Sequence, residues 1–414
     1  MKMFLQGQWQ ERGTVAEVIH PYDGAVLDTV PVGAPEDISA ALDGLEQGAA
    51  AMRVLPTHRR VEILRRTAQL MAEQQEDLAC LISREEGKVL AEGRIEAGRA
   101  METLDLSADA ARDLHGETVP LDATPGGVGK LGFTLRVPCG IVAAITPFNF
   151  PLNLVAHKIG PAIAGGNAVL LKPASDTPLS ALKLVELLLE AGLPEEAIAC
   201  VTGPGGELGE AICADARVRK ISFTGSAEVG EAITRAAGLK RVTMELGSNS
   251  PVIVLEDADV AKVAQTLAVT GYANAGQVCI SSQRVIATPG AHADLLDALR
   301  TEVQQLVAGD PLAEGTQVGP LIRERDAARV ETWLGEAVTQ GAELLCGGSR
   351  EGAVVQPALL ANVAPEMKLS CEELFGPALG VTLVTDVEAA IALANETRFG
   401  LSAAVFTQDI DRAM

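Results

Sequence analysis

Gly140-Ile141-Val142-Ala143-Ala144-Ile145-Thr146-Pro147-Phe148-Asn149-Phe150-Pro151 is the stretch from which the fold of this chain can be read. Its first half is an unbroken apolar run of strand length, the pattern of a strand covered on both faces in a parallel sheet. Its second half is a loop bracketed by prolines, which restrict the backbone around Asn149 and allow its amide to be held in one orientation. A fixed amide donor suits a developing oxyanion, because a preorganised donor needs no reorganisation during reaction. A turn Asn bonded to its own backbone is the plainer alternative.

Outward from this strand the same pattern recurs. Short apolar runs at 140–145, 168–171, 199–202 and 220–223 alternate with helical periodicity. Residues 57–86 place Val61, Leu64, Ala68, Met71, Leu78, Leu81 and Ile82 at helical spacing, and residues 180–191 form another amphipathic helix stopped by Gly192 and Pro194. Strands alternating with helices predict a doubly wound α/β unit. A stretch around 113–138, with Pro125-Gly126-Gly127-Val128-Gly129, breaks the alternation. After Gly247 a second α/β unit begins with Val252-Ile253-Val254-Leu255 and a helix from about 257, and its later strands are expected at 379–384 and 402–407.

Three further segments carry candidate chemistry. Asn167 to Ser175 is an apolar run ending in Lys172 and Pro173; ligands bind beyond the carboxyl ends of such strands, so Lys172 can reach a hydroxyl or a phosphate, or can be a solvated strand-end lysine. Ile221 to Gly230 reads as strand, glycine turn and helix start, a turn able to present amides to a pyrophosphate without being the G-x-G-x-x-G fingerprint. Finally, Gly276-Gln277-Val278-Cys279 follows the small turn Asn274-Ala275 and lies downstream of Met244-Glu245-Leu246-Gly247. Cysteine attacks carbonyl carbon at neutral pH better than other side chains, and an upstream carboxylate in apolar surroundings can act as its base. A buried, inert thiol is the competing reading.

Taken together, Thr146 to Pro151, Lys172-Pro173-Ala174-Ser175, Phe223-Thr224-Gly225-Ser226, Glu245-Leu246-Gly247, Gly276 to Cys279 and Glu373-Leu374-Phe375-Gly376-Pro377 resemble, in order and wording, the aldehyde dehydrogenase superfamily. The run Phe150 to Lys158 resembles its lactaldehyde and small-aldehyde branches. The resemblance implies an α/β fold with a Rossmann-type dinucleotide-binding domain at 1–112 and 139–247. It implies a bridging, oligomerisation β extension at 113–138 and a second α/β catalytic domain at 248–414. It further implies that Cys279 attacks an aldehyde, that Asn149 and a backbone N–H hold the thiohemiacetal oxyanion, and that hydride loss leaves a thioester hydrolysed with Glu245 as general base. Burial near Leu246 and Gly247 is expected to raise the pKa of that glutamate.

The same resemblance places the dinucleotide along Ile145, Thr146, Pro147, Lys172, Ser175, Gly225, Ser226, Gly230, Leu246, Glu373 and Phe375. Many NAD-specific relatives carry a carboxylate where this chain has Ser175; a hydroxyl tolerates a 2′-phosphate, so NAD or NADP is expected. An acylating, coenzyme A-dependent semialdehyde dehydrogenase and a non-catalytic dinucleotide-binding fragment are the alternatives. No arginine pair near Cys279 marks a dicarboxylate semialdehyde, and Arg284 reads as structural, so a short aliphatic aldehyde is expected as substrate.

Composition bounds these readings. A chain of 414 residues is too long for one core. A net charge of −22 argues against nucleic acid, whose phosphates need a basic footprint. Seven cysteines without a C-x-x-C pair, and no histidine at zinc spacing, give no metal site and point to reduced thiols and a cytoplasmic location. No apolar run has transmembrane length, so no membrane partner is expected. Two departures from the family stand out. Ser248 replaces a common glycine, so the local turn is expected to differ. The chain also ends at Met414, where relatives continue; a C-terminally truncated chain with an exposed apolar seam is expected, the full-length protein being a homodimer or homotetramer.

Overall fold

The computed structural model describes residues 1–414. A seven-stranded sheet runs in the spatial order Arg241–Glu245, Val218–Thr224, Ile141–Ile145, Ala168–Lys172, Ile198–Cys200, Met3–Leu5, Gln8–Gln10. Its first five strands are parallel and the N-terminal pair is added antiparallel. Strand Ile141–Ile145 shows why the central strands are apolar throughout. Val142 and Ala144 enter one core with helices Thr57–Glu73, Leu90–Arg112, Asn153–Ala164 and Leu179–Glu190, while Ile141, Ala143 and Ile145 enter a second core on the opposite face. From Ile141–Ile145 the chain adds strands first on one side and then on the other. The sheet therefore reverses direction between that strand and Val218–Thr224, and a crevice opens at their carboxyl ends.

A second, six-stranded sheet has the order Glu343–Cys346, Ala358–Ala361, Ala378–Leu383, Arg284–Ala287, Pro251–Val254, Ala404–Phe406, with only the first strand antiparallel. It carries its own core, including Val254, Leu267, Val285, Leu299, Val330 and Leu379. Residues 113–138 form neither sheet. They give a two-residue ribbon, Thr118–Val119 against Gly132–Phe133, with Val128, Leu131, Phe133, Leu135 and Val137 exposed.

Several expected elements shift. The periodic run 57–86 is two helices, Thr57–Glu73 and Gln75–Glu86, broken at Gln74 with φ −121° and ψ 24°. The period survives the break because both helices bury their apolar stripes against Leu90–Arg112. The helix expected from 257 starts at Val260, where the Asp259 carboxylate accepts from the Lys262 N–H at 3.2 Å. The strand expected at 402–407 is the exposed edge strand Ala404–Phe406. Ser248 does not take a left-handed backbone; that conformation falls on Ser250 (φ 33°). The Ser248 hydroxyl instead donates to the Gly400 carbonyl at 2.9 Å and accepts the Ser250 N–H at 3.0 Å.

Candidate active site

The crevice at the sheet reversal is a cleft of about 350 Å³. Pro147, Phe148 and Asn149 come from the end of strand Ile141–Ile145, and Thr224, Gly225 and Ser226 from the end of Val218–Thr224. Leu246 and Gly247 follow the edge strand, and Cys279, Glu373 and Phe375 come from the second α/β unit. Thus eight of the residues singled out in the sequence line one space: Pro147, Asn149, Gly225, Ser226, Leu246, Cys279, Glu373 and Phe375.

Cys279 sits at the end of a turn held in an unfavourable backbone. Asn274, Ala275 and Gly276 have φ of 49°, 54° and 72°, three left-handed residues in succession, two of which carry a Cβ. This small turn is buried and tied down. The Asn274 N–H donates to the Glu92 carboxylate at 3.0 Å, and its side-chain amide donates to Glu86 at 2.9 Å. Gly276 must be glycine, since a Cβ there would lie 2.0 Å from the Gly376 carbonyl oxygen. That contact brings the Glu373–Pro377 loop against the thiol turn.

Asn149 is buried and fixed, as its prolines predict. One side-chain N–H donates to the Gln277 carbonyl at 2.8 Å, leaving the other N–H available at the cleft. Its own carbonyl accepts from Lys88 Nζ at 2.7 Å, and Lys88 pairs with buried Glu96 at 2.5 Å. Glu96 in turn accepts the N–H groups of Leu152 and Asn153 at 2.9 and 3.1 Å, at the start of helix Asn153–Ala164. The sequence reading missed this layer of Glu86, Lys88, Glu92 and Glu96. A signal existed: Glu85 and Glu86 fall three and four residues after Ile82, on the buried stripe begun by Leu78. Charged residues on an apolar stripe are rarely buried without a partner.

The electrostatics separate the titratable groups. Burial pushes the Cys279 thiol up, the Glu373 and Glu245 carboxylates add to this, and the N–H groups of Cys279 and Ile280 partly offset it. The resting thiol is therefore held in its protonated form at neutral pH. Burial also raises Glu373, whose Oε1 accepts the Ser248 N–H at 3.0 Å. Gly247 makes this possible, as a Cβ there would stand 2.2 Å from Glu373 Oε2. Glu245, by contrast, is exposed on the edge strand, so the burial expected for it is absent. The strand Arg241–Glu245 has a neighbour on one side only, and all its side chains except Met244 are exposed. Lys158, which the sequence reading passed over as a functional group, is buried below, donating to Thr224 Oγ1 at 2.7 Å. Burial brings its pKa down to about 8, against the pull of Glu245.

The remaining candidates stand around the cleft rather than in it. Ile145 is core. Thr146 is buried behind Pro147 with its hydroxyl lacking any partner. Lys172 is buried, its ammonium bonded to the Pro173 carbonyl at 2.8 Å and its pKa lowered to about 8 by burial. Ser175 is exposed and donates to the Gly203 carbonyl at 2.9 Å. Gly230 lies beneath Leu246, where a Cβ would come within 2.4 Å of Leu246 Cδ2. Arg284 is structural, donating to the Leu393 carbonyl at 2.8 Å.

These features fit a dinucleotide. The orphaned Thr146 hydroxyl faces an unmet hydrogen bond, and the helix Ala227–Ala236 begins at Gly225-Ser226 on the cleft wall with its amide dipole toward the site. Phe148 and Phe375 pack edge to face at 5.9 Å, giving the cleft an apolar wall for a planar ring. No cluster of metal-ligating side chains is present, and no helix is long and apolar enough to cross a membrane.

Comparison with known proteins gives a consistent result. A profile described as the aldehyde dehydrogenase family matches residues 9–414. The chain is 41% identical over 412 residues to 3-sulfolactaldehyde dehydrogenase of Priestia aryabhattai, covering 100% of this chain and 86% of that protein. It is 37% identical over 416 residues to lactaldehyde dehydrogenase of Methanococcus maripaludis, covering 100% and 88%. Its structure superposes with a TM-score of 0.97 and 36% identity on NADP-dependent glyceraldehyde-3-phosphate dehydrogenase of Bacillus halodurans in complex with NADP, covering 100% of this chain and 87% of that one.

Proposed function

Because this chain belongs to the aldehyde dehydrogenase family, we propose that its cleft oxidises a short hydroxy-aldehyde to the carboxylic acid, with Cys279 as nucleophile and Glu245 as base. The reaction class, NAD(P)-dependent aldehyde oxidation, follows from the family and its dehydrogenase relatives. The observation that carries the residue assignment is the convergence of Cys279, the Asn149 amide and the Gly225-Ser226 turn on one cleft.

Each residue has a stated task. Cys279 Sγ, once deprotonated, bonds to the aldehyde carbon. The free N–H of Asn149 and the backbone N–H of Cys279 receive the resulting oxyanion. Bound NAD or NADP supplies the two-electron acceptor that takes the hydride. Glu245, open to solvent yet close enough to act on the field at Cys279, removes a proton from the water that cleaves the thioester. Thr146, Ser226, Glu373 and Phe375 would hold the dinucleotide, with Lys172 and Ser175 released from their carbonyl partners to reach its adenosine ribose.

Residues 1–112 and 139–247 serve as the dinucleotide-binding domain, 248–414 as the catalytic domain, and 113–138 as the oligomerisation extension. The exposed apolar side chains of Leu131, Leu135 and Val137 support a homodimer or homotetramer, and the seven unpaired thiols support a cytoplasmic location. The test is reduction of NAD and NADP by the purified chain with short aldehydes, followed at 340 nm, with Cys279→Ser alongside. Turnover that vanishes in the variant, by about 10³-fold or more, supports the assignment; equal turnover in both removes Cys279 from the mechanism. A strict requirement for coenzyme A would replace hydrolysis with acyl transfer.

A further inference from the structure

The wall that carries the Gly225-Ser226 turn is thinly held. Of the ten residues in helix Ala227–Ala236, only Gly230 and Ile233 are buried, so little apolar contact fixes where the helix starts. Glu373 and Phe375, on the same cleft, belong to the second α/β unit, which has a core of its own. Two salt bridges join residues before 248 to residues after it: Arg323 with Asp176, and Arg398 with Glu228. The second stands beside the cleft walls. Glu228 is two residues from Ser226, and one Arg398 nitrogen, Nη2, donates to Glu228 Oε1 at 3.1 Å and to Glu372 Oε2 at 2.8 Å. Arg398 itself does not line the cleft.

Charge explains why a cation belongs there. Beyond the burial that raises Glu373, the Glu228 carboxylate raises it further, whereas the Arg398 charge lowers it. Without the guanidinium, carboxylates from both walls would repel one another. The loop bearing Arg398 is seated by Ser248, the residue that departs from a common glycine. The Ser248 hydroxyl donates to the Gly400 carbonyl at 2.9 Å, while its N–H donates to Glu373 Oε1 at 3.0 Å. The Thr397 hydroxyl adds a bond to Asn249 Oδ1 at 3.3 Å. A glycine at 248 would keep the N–H bond and lose the hydroxyl bond, so the departure has a use.

We propose that Arg398, seated by Ser248, is a positioning residue for the dinucleotide: by bridging Glu228 and Glu372 it holds the Ser226 and Glu373 walls at one spacing, and so raises affinity without touching the ligand. This rests on the dinucleotide-binding reading of the cleft. The bridge is exposed, so its effect is modest, about three- to tenfold, within what two exposed ion pairs supply. Because a single nitrogen makes both bonds, a lysine ammonium can take its place. Because exposed pairs are screened, salt mimics their loss.

The experiment needs no turnover. Amide hydrogen exchange of the ligand-free protein, read over 226–236 and 372–376, is compared among the unmodified chain, Arg398→Gln, Arg398→Lys, Ser248→Gly and Arg94→Gln. Arg94 is the control, since its exposed pair with Glu76 lies within the first unit. Exchange in both segments should rise about three- to tenfold in Arg398→Gln and in Ser248→Gly. It should return near the original rate in Arg398→Lys and stay unchanged in Arg94→Gln. Salt at about 0.5 M should bring the unmodified chain toward Arg398→Gln. Calorimetry then measures Kd for NAD and for NADP, each expected to weaken by a similar factor in Arg398→Gln. Unchanged exchange in Arg398→Gln overturns the brace, and if binding weakens all the same, Arg398 is a direct phosphate ligand instead. Faster exchange with an unchanged Kd overturns the role in binding. If neither NAD nor NADP binds the unmodified chain while exchange still responds to Arg398, the dinucleotide reading falls and the bridge between the walls stands.

Discussion

The proposed nucleophile and the proposed base are mounted in opposite ways. Cys279 follows a buried turn of three left-handed residues, gripped by Glu86, Glu92 and the Gly376 carbonyl. Glu245 ends an edge strand and is itself exposed to water. The difference matches what each of the two proposed half-reactions needs. Attack on a carbonyl demands a sulfur held within a narrow range of position, and strain locked in by surrounding bonds supplies that. Thioester hydrolysis demands a water molecule, and a base at an open edge has one beside it.

Changing the base tests the contrast most strongly. Glu245→Gln should leave a burst of reduced cofactor of about one equivalent per site, while steady turnover drops by roughly 10²–10³-fold. Rapid-mixing absorbance at 340 nm measures both, and a burst lost along with turnover would mean that the same carboxylate also activates the thiol. Next in size is the turn itself. Asn274→Ala should cost about 2–4 kcal/mol of stability, since it strips Glu86 and leaves an alanine left-handed. Chemical denaturation checks this, and Val242→Thr on the exposed strand should shift the midpoint hardly at all.

Two pH effects are smaller. Because burial and the neighbouring carboxylates hold the Cys279 thiol above its ordinary value, its alkylation rate should keep rising with pH past 9. A rate that levels off near neutrality would instead reveal a thiolate already formed. Glu85 is buried and held up to about 7, accepting the N–H groups of Leu179 and Ser180. Its native pKa lies above the unfolded value, so its stabilising contribution is complete below about 4.5 and is lost as pH rises through about 7. Glu85→Gln should flatten that part of the stability profile; an unaltered slope would place the titration elsewhere.

Much of this was legible in the sequence because it is written locally. The strand Ile141–Ile145, its Pro-bracketed loop and the glycine turn at Gly225 follow from periodicity and punctuation, and the crevice follows from where parallel strands end. What stayed hidden depends on neighbours far along the chain. The Glu92–Asn274 bond spans 182 residues and the Lys88–Asn149 bond 61, and no local pattern encodes either. The burial expected of Glu245 failed for a related reason. Leu246 and Gly247 describe its neighbours in sequence, but its exposure is set by the strand lying at the rim of the sheet. The break at Gln74 escaped because two helices packed on one partner keep a common period.

The layer formed by Glu86, Lys88, Glu92 and Glu96 has a practical consequence for anyone redesigning this protein. Those residues lie well before the recognisable motifs and would look like ordinary helix positions, free to be recoded for solubility or charge. Through Asn149, Asn274 and the start of helix Asn153–Ala164 they fix the loops that carry the proposed oxyanion donor and nucleophile. A library that randomises 85–96 should therefore lose catalysts faster than it loses folded protein. Swapping this helix pair between homologues would carry part of the active site with it.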